Sequence, residues 1–140
     1  MRILVISLFS ALILLSFQAN GQKDTIKETT AKINELLGGG TVVSFKKDEL
    51  IVEVFKNGDI FRRDKVYIND LNADATTYLP DEWSVVLRCS RRSRDCVDRR
   101  LFVHKKQSQY TRLTILIKGN EGIKDDLVSN LKKLIRLYQE

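Results

Sequence analysis

The sequence predicts an α+β fold: an N-terminal helix, six or seven antiparallel strands and a C-terminal amphipathic helix in one unit. Three observations carry this. Apolar residues recur at helical spacing near both ends of the chain beyond residue 21, and at a spacing of two between them. An Asn57-Gly58 pair flanked by Phe55 and Ile60-Phe61 is the dipeptide a type I′ hairpin requires, because both central residues take positive φ. Residues 22–140 number 119, with Pro80 the only proline and no Ser/Gly-rich linker, which suits a single domain.

Residues 1–21 have the form of a secretory signal peptide. Arg2 gives the positive start, Ile3 to Phe17 the apolar run, and Ala19 and Gly21 the small residues of a cleavage site that leaves Gln22 first. The run falls short of the roughly 20 apolar residues that span a bilayer, and no cysteine follows it to carry a lipid anchor. The expectation is an exported protein, periplasmic or secreted, with no transmembrane segment after cleavage. Losing Arg2 leaves 23 basic residues against 18 acidic ones, a charge of +5.

The elements follow in order. Thr25-x-x-Glu28 has the form of a capping box, with Asp24 as an alternative cap. Ile26, Ile33, Leu36 and Leu37 then keep helical spacing until Gly38-Gly39-Gly40, which predicts a helix over 25–37. From Thr41 the period becomes two, with Val43 and Phe45 on one face, a Lys47-Asp48 turn, and Leu50, Val52 and Val54 on the next strand. The Asn57-Gly58 hairpin follows, then a strand near Lys65–Ile68 and a polar connection over Asn69–Thr76. Trp83, Val85 and Leu87 predict a strand to Cys89 with Trp83 in the core, and Val97–His104 a return strand. Lys105–Ser108 reads as a turn, and Tyr110–Lys118 as a strand with Leu113, Ile115 and Ile117 on one face. Ile123, Leu127, Leu131, Leu134 and Tyr138 line one face of a final helix, widened by Val128 and Ile135. Asp125 and Asp126 near its start and Lys132, Lys133 and Arg136 toward its end match the helix dipole.

Cys89 and Cys96 are the only cysteines, and an exported chain oxidises them to one disulfide. A redox pair would place Cys-x-x-Cys at a helix start, and zinc needs two more ligands where the chain has one histidine, His104. Closing this short loop stabilises the fold by about 2.5 kcal/mol in the chain-entropy model. A regular hairpin with Cys89 opposite Cys96 would continue the Trp83/Val85/Leu87 face onto Asp98 and Arg100 and turn Val97, Leu101 and Val103 away. A one-residue slip inverts every face, so either a β-bulge adjoins the bridge or the bridge lies beyond the regular ladder.

The stretch from Thr41 to Glu140 resembles the pleckstrin-homology-like domain, a bent antiparallel barrel closed at one end by its last helix. It is similar in particular to short exported bacterial proteins with a Cys-loop-Cys hairpin before the final strand and helix. The similarity rests on Lys65-Val66-Tyr67-Ile68-Asn69-Asp70-Leu71, on Val85 to Cys89 through Cys96-Val97, and on Leu127 to Tyr138. It implies a binding scaffold. The helix before the first strand is extra, and the basic first-hairpin signature of phosphoinositide binders is reduced to Lys46, Lys47, Arg62 and Arg63, so phosphoinositide recognition does not carry over. A cystatin-like or helix-grip fold is the alternative that the element order allows.

Charge singles out one region. Arg88, Arg91, Arg92, Arg94, Arg99, Arg100, Lys105 and Lys106 face only Asp95 and Asp98 across that stretch, while the rest of the chain is nearly neutral. A bridged hairpin carrying Arg91, Arg92 and Arg94, with Arg99 and Arg100 beside it, offers guanidinium forks to phosphate, carboxylate or sulfate groups. The partner this implies is an acidic protein, an acidic glycan or an anionic lipid headgroup. The competing reading is a solvated turn whose arginines keep a β-edge soluble. No aromatic lies among the loop arginines Arg91, Arg92 and Arg94 to stack on bases, which weighs against nucleic acid. The sequence has no Gly-x-Ser-x-Gly elbow, phosphate loop or His-Glu-x-x-His helix, so neither a catalytic residue, a metal nor a cofactor is expected. The expected function is a non-enzymatic binding module, with a structural component of an envelope complex as the alternative.

Overall fold

The computed structural model describes residues 21–139. The expected leader lies outside the described residues except for Gly21, which belongs to the first helix. That helix, α1, occupies residues 21–37. Thr25 is therefore not a cap: it sits within the helix, and its hydroxyl donates back to the Gly21 carbonyl at 2.8 Å. The helix is already formed at residue 21, so the expected start at residue 25 is late, because a Thr-x-x-Glu pattern is equally compatible with a helix interior where threonine bonds one turn back. The other end behaves as read, with Gly38 and Gly39 at φ 69° and 95° and the Gly38 N–H closing onto the Asn34 carbonyl.

Eight strands follow among the described residues: β1 (Thr41–Lys46), β2 (Glu49–Lys56), β3 (Asp59–Tyr67), β4 (Leu71–Leu79), β5 (Ser84–Cys89), β6 (Val97–Leu101), β7 (Lys106–Tyr110) and β8 (Arg112–Leu116). Helix α2 spans Lys124–Gln139. The strands form two antiparallel sheets, one ordered β1-β2-β3-β6-β7 and the other β4-β5-β8. No closed barrel is formed among the described residues. The β2–β3 turn has Asn57 and Gly58 at φ 53° and 83°, the left-handed pair expected of Asn-Gly.

Three strand expectations are corrected. The polar stretch Asn69–Thr76 is a short 3₁₀ turn, Ile68–Asp70, running into β4. Its burial alternates through Leu71 and Ala73, then moves to Thr76 after a register break between Asn72 and Thr77, so no single period of two runs along it. The expected turn at Lys105–Ser108 lies earlier, at 102–105, and Lys106–Tyr110 is an edge strand of polar residues. The expected strand Tyr110–Lys118 is divided at Thr111, where the chain passes from the five-stranded sheet to the three-stranded one.

The core lies between the two sheets and α2. Val43, Leu50, Val52 and Val66 of the larger sheet meet Val85, Leu87, Leu113 and Ile115 of the smaller one. Leu127, Leu131, Leu134 and Ile135 of α2 are buried with them, each contributing about 1.5–3 kcal/mol. Trp83 departs from its expected core position. As the residue closing the Pro80–Glu82 turn it is left-handed (φ 47°), and it stands 42 % exposed with Lys118 over its ring at 4.5 Å.

Helix α1 docks on the free edge of β1. The Asn34 side chain accepts from the Val43 N–H at 2.7 Å and donates to the Val43 carbonyl at 2.8 Å. One carboxamide thus takes the place of a neighbouring strand and covers an edge that would otherwise pair with other chains.

Candidate anion-binding loop

Cys89 and Cys96 are bridged, with Cα atoms 5.7 Å apart. The bridge does not lie in a hairpin. β5 belongs to the smaller sheet and β6 to the larger, and Cys89 has Leu71 of β4 as its ladder partner while Cys96 precedes β6, so the disulfide joins the two sheets without linking ladder partners. This resolves the parity conflict between Val85/Leu87 and Val97 in favour of a bridge beyond the ladder, and it corrects the expectation of a bridged hairpin.

The loop between the cysteines, Ser90 to Asp95, is pinned at more than the bridge. The Ser90 N–H donates to the Asp70 carbonyl at 2.7 Å, and the Ser93 hydroxyl to the Asp70 carboxylate at 2.8 Å. The Ser93 N–H closes a turn onto the Ser90 carbonyl at 3.0 Å. The Cys89 N–H donates to the Thr111 carbonyl at 3.0 Å. Asp70 lies where the chain first crosses from the larger sheet to the smaller, and Thr111 where it crosses again. All three sheet-to-sheet crossings therefore meet at this corner.

The expected ligand residues go to three different places. Arg91, Arg92 and Arg94 are exposed on the pinned loop, and among the described residues none of them joins a salt bridge or a side-chain hydrogen bond to the protein. Arg100 points to the outer face of the larger sheet, where it and Arg63 lie over the Phe102 ring at 4.9 and 5.1 Å. Glu49, Arg63, Lys65, Asp98, Arg100 and Gln107 border a shallow recess of about 260 Å³ there, with charges of both signs.

Arg99 has an internal partner. Its Nε and Nη2 donate to the two oxygens of Asp64 at 2.8 and 3.1 Å, a fork-to-carboxylate pair. Asp64 is fully buried. Arg62 completes the cluster, with Nε 3.3 Å from Asp64 Oδ2 and Nη2 donating to the Thr114 carbonyl at 2.6 Å. Burial pushes the Arg62 guanidinium below its ordinary value, Asp64 pulls it back, and Arg99 adds a further downward push. Arg99 also stacks on Tyr110 at 4.5 Å. The cluster ties β3, β6 and the edge of β8 together.

Sequence reasoning gave Asp64 no role, and it named Arg62 and Asp70 without the partners they have here. Asp64 carries one signal: it shares the face of β3 that holds Ile60 and Val66, with the opposite charge of Arg62 two residues before it. Asp70 carries none, because its partner Ser93 is twenty-three residues away. His104 is exposed in the 102–105 turn. Among the described residues no group of three or more His, Cys, Asp or Glu side chains could hold a metal ion, and no helix is long and apolar enough to cross a membrane. No family model, curated protein or solved structure matches the chain.

Proposed function

We propose that this is an exported, non-enzymatic binding module that recognises an anionic partner through Arg91, Arg92 and Arg94. One observation carries the reading: three exposed guanidinium groups, without ion-pair or hydrogen-bond partners among the described residues, stand on a loop held by a disulfide and by Asp70. A pinned loop loses little freedom on binding, so more of each charge-assisted contact is retained as affinity. The loop sequence Ser-Arg-Arg-Ser-Arg-Asp offers no apolar side chain for insertion into a bilayer. That favours a surface of clustered phosphate, sulfate or carboxylate groups. Two sheets with a C-terminal helix packed on them support the pleckstrin-homology-like scaffold as part of this reading.

The test is salt elution from an immobilised polyanion, comparing the native protein with R91S/R92S/R94S and with a control that loses equal charge elsewhere, K32S/K105S/K106S. The loop variant elutes at markedly lower salt and the control close to the native protein. Equal elution of the two variants makes the interaction one of net charge and removes the loop from the site.

A second reading, assembly into a larger complex, is favoured by Leu116 (63 % exposed) beside Trp83 at the end of edge strand β8. Sedimentation of the native protein against L116S tests it, with a concentration-dependent mass lost in the variant as the supporting result.

A further inference from the structure

A second concavity lies away from the arginine loop, between α1, β1 and the end of α2, with a volume of about 750 Å³. That falls within the range of small-molecule sites, roughly 300–1,000 Å³. Its walls are mainly apolar, with Ile26 from α1, Val43 and Phe45 from β1, and Leu137 and Tyr138 from α2, and Gln22, Thr30, Asn34 and Ser44 add neutral polar groups. Phe45 and Tyr138 are stacked, with ring centroids 5.1 Å apart and planes inclined by 13°, so the two rings form one aromatic block at the wall of the groove. The Tyr138 hydroxyl donates to the Lys47 carbonyl, which turns the polar end of the ring out of the groove.

Charge at the rim has one sign. Lys23 and Lys27, one turn apart on α1, border the groove, and among the described residues no aspartate or glutamate lines it. Among the described residues neither lysine joins a salt bridge. An apolar trough with two cations at one border fits a ligand with a matching division, an apolar chain ending in an anion.

We infer that this groove binds a single-chain amphiphile with an anionic head: the chain lies along the Phe45/Tyr138 wall, and a carboxylate or phosphate head meets Lys23 and Lys27. The ligand is distinct from the loop's partner in chemistry, since the loop has no apolar surface. R91S/R92S/R94S therefore leaves this binding unchanged, and failure of either reading is seen separately.

The experiment is titration calorimetry on the chain expressed from its own start codon, in the form in which it is recovered. The probes are laurate, palmitate, palmitoyl lysophosphatidic acid and the neutral analogue hexadecanol. Affinity rises with chain length, by up to about fourfold per added methylene if each is fully buried. Palmitate against the lysophosphatidic acid distinguishes a carboxylate from a phosphate source. A31W places an indole in the groove from an exposed helix position and abolishes binding, while a native-like circular dichroism spectrum shows that it folds. K23E/K27E weakens palmitate at least tenfold and leaves hexadecanol within about twofold. The inference is overturned if affinity ignores chain length, if A31W binds like the native protein, or if palmitate and hexadecanol weaken equally in K23E/K27E. A dimer that dissociates on A31W and ignores every probe also overturns it, by assigning the groove to a second copy of the chain.

Discussion

Replacing Asp64 by asparagine tests whether the arginine cluster is structural. Asp64 is fully buried and holds Arg99 by two hydrogen bonds and Arg62 at 3.3 Å. The asparagine keeps the shape and removes the negative charge, leaving two guanidinium groups with their burial cost uncompensated and repelling one another. Removing one partner of a buried pair costs about 3–5 kcal/mol. The expected loss is near the lower bound, about 3 kcal/mol, because the asparagine oxygen still accepts from Arg99. A chain of this length has roughly 6–18 kcal/mol of stability in all, so the variant folds but is visibly weakened. Urea unfolding followed by far-ultraviolet circular dichroism reads the effect, since the only tryptophan is on the surface. With slopes of about 1–3 kcal/mol per molar urea, the midpoint falls by at least about 1 M. A companion variant, D64L/R62M/R99L, replaces the cluster with apolar groups and returns to within about 1 kcal/mol of the native protein. A D64N variant less than about 1 kcal/mol weaker than native would refute the cluster's structural role and return Arg99 to the candidate ligand residues.

C89S/C96S unfolds with about 2.5 kcal/mol less stability in denaturant titration, and because the loop loses a fixed end its polyanion retention falls toward that of R91S/R92S/R94S. N34L leaves the Val43 N–H and carbonyl without a partner at the edge of β1 and costs about 1–3 kcal/mol; hydrogen exchange detects it as faster exchange at Val43, while the exposed neighbour change E35A leaves that amide protected. Burial and the nearby Asp48 carboxylate raise the Tyr138 phenol above its ordinary 10.0. A raised folded value means that its contribution is complete below about pH 10 and is lost as pH rises through the folded value, so melting temperatures fall on the alkaline side and Y138F shows a smaller fall there.

What the sequence disclosed depended on whether a residue's partner was local. α2 was legible because Leu127, Leu131, Leu134 and Ile135 bury against one surface, although Ile123, expected on the same face, lies in a 3₁₀ turn just before the helix. The Asn57-Gly58 turn was legible because its φ angles are decided by the two residues themselves. β4 was not, since its inward residues include Ala73 and Thr76 and a register break shifts the face between them. β7 was not, because an edge strand of Lys, Gln, Ser, Gln and Tyr buries almost nothing and shows no hydrophobic period. The arginine group was found as a count of charges, and the count could not separate Arg99, held inside by Asp64, from Arg91, Arg92 and Arg94. That division needs a contact spanning thirty-five residues.

The disulfide's position gives the loop its meaning. Two sheets that share no ladder are oriented only by side-chain packing and by whatever ties cross between them. Among the described residues these ties include the Cys89–Cys96 bridge, the Arg62 bond to Thr114 and the three backbone crossings. Asp70 on one crossing holds Ser90 and Ser93 on the second, and Thr111 on the third holds Cys89. A solvated turn that only needed to remain soluble would require its arginines but not this anchoring. The anchors tie the two sheets together and also fix the backbone from which Arg91, Arg92 and Arg94 leave the surface; on the proposed reading that fixed backbone suits a partner with groups at matching positions. Asp70→Ala separates the two roles: it leaves every charge of the loop in place and frees Ser93. If recognition depends on placed guanidinium groups, retention on a polyanion of regular spacing falls while retention on an irregular one persists. If the loop is only a solubilising turn, both are unchanged.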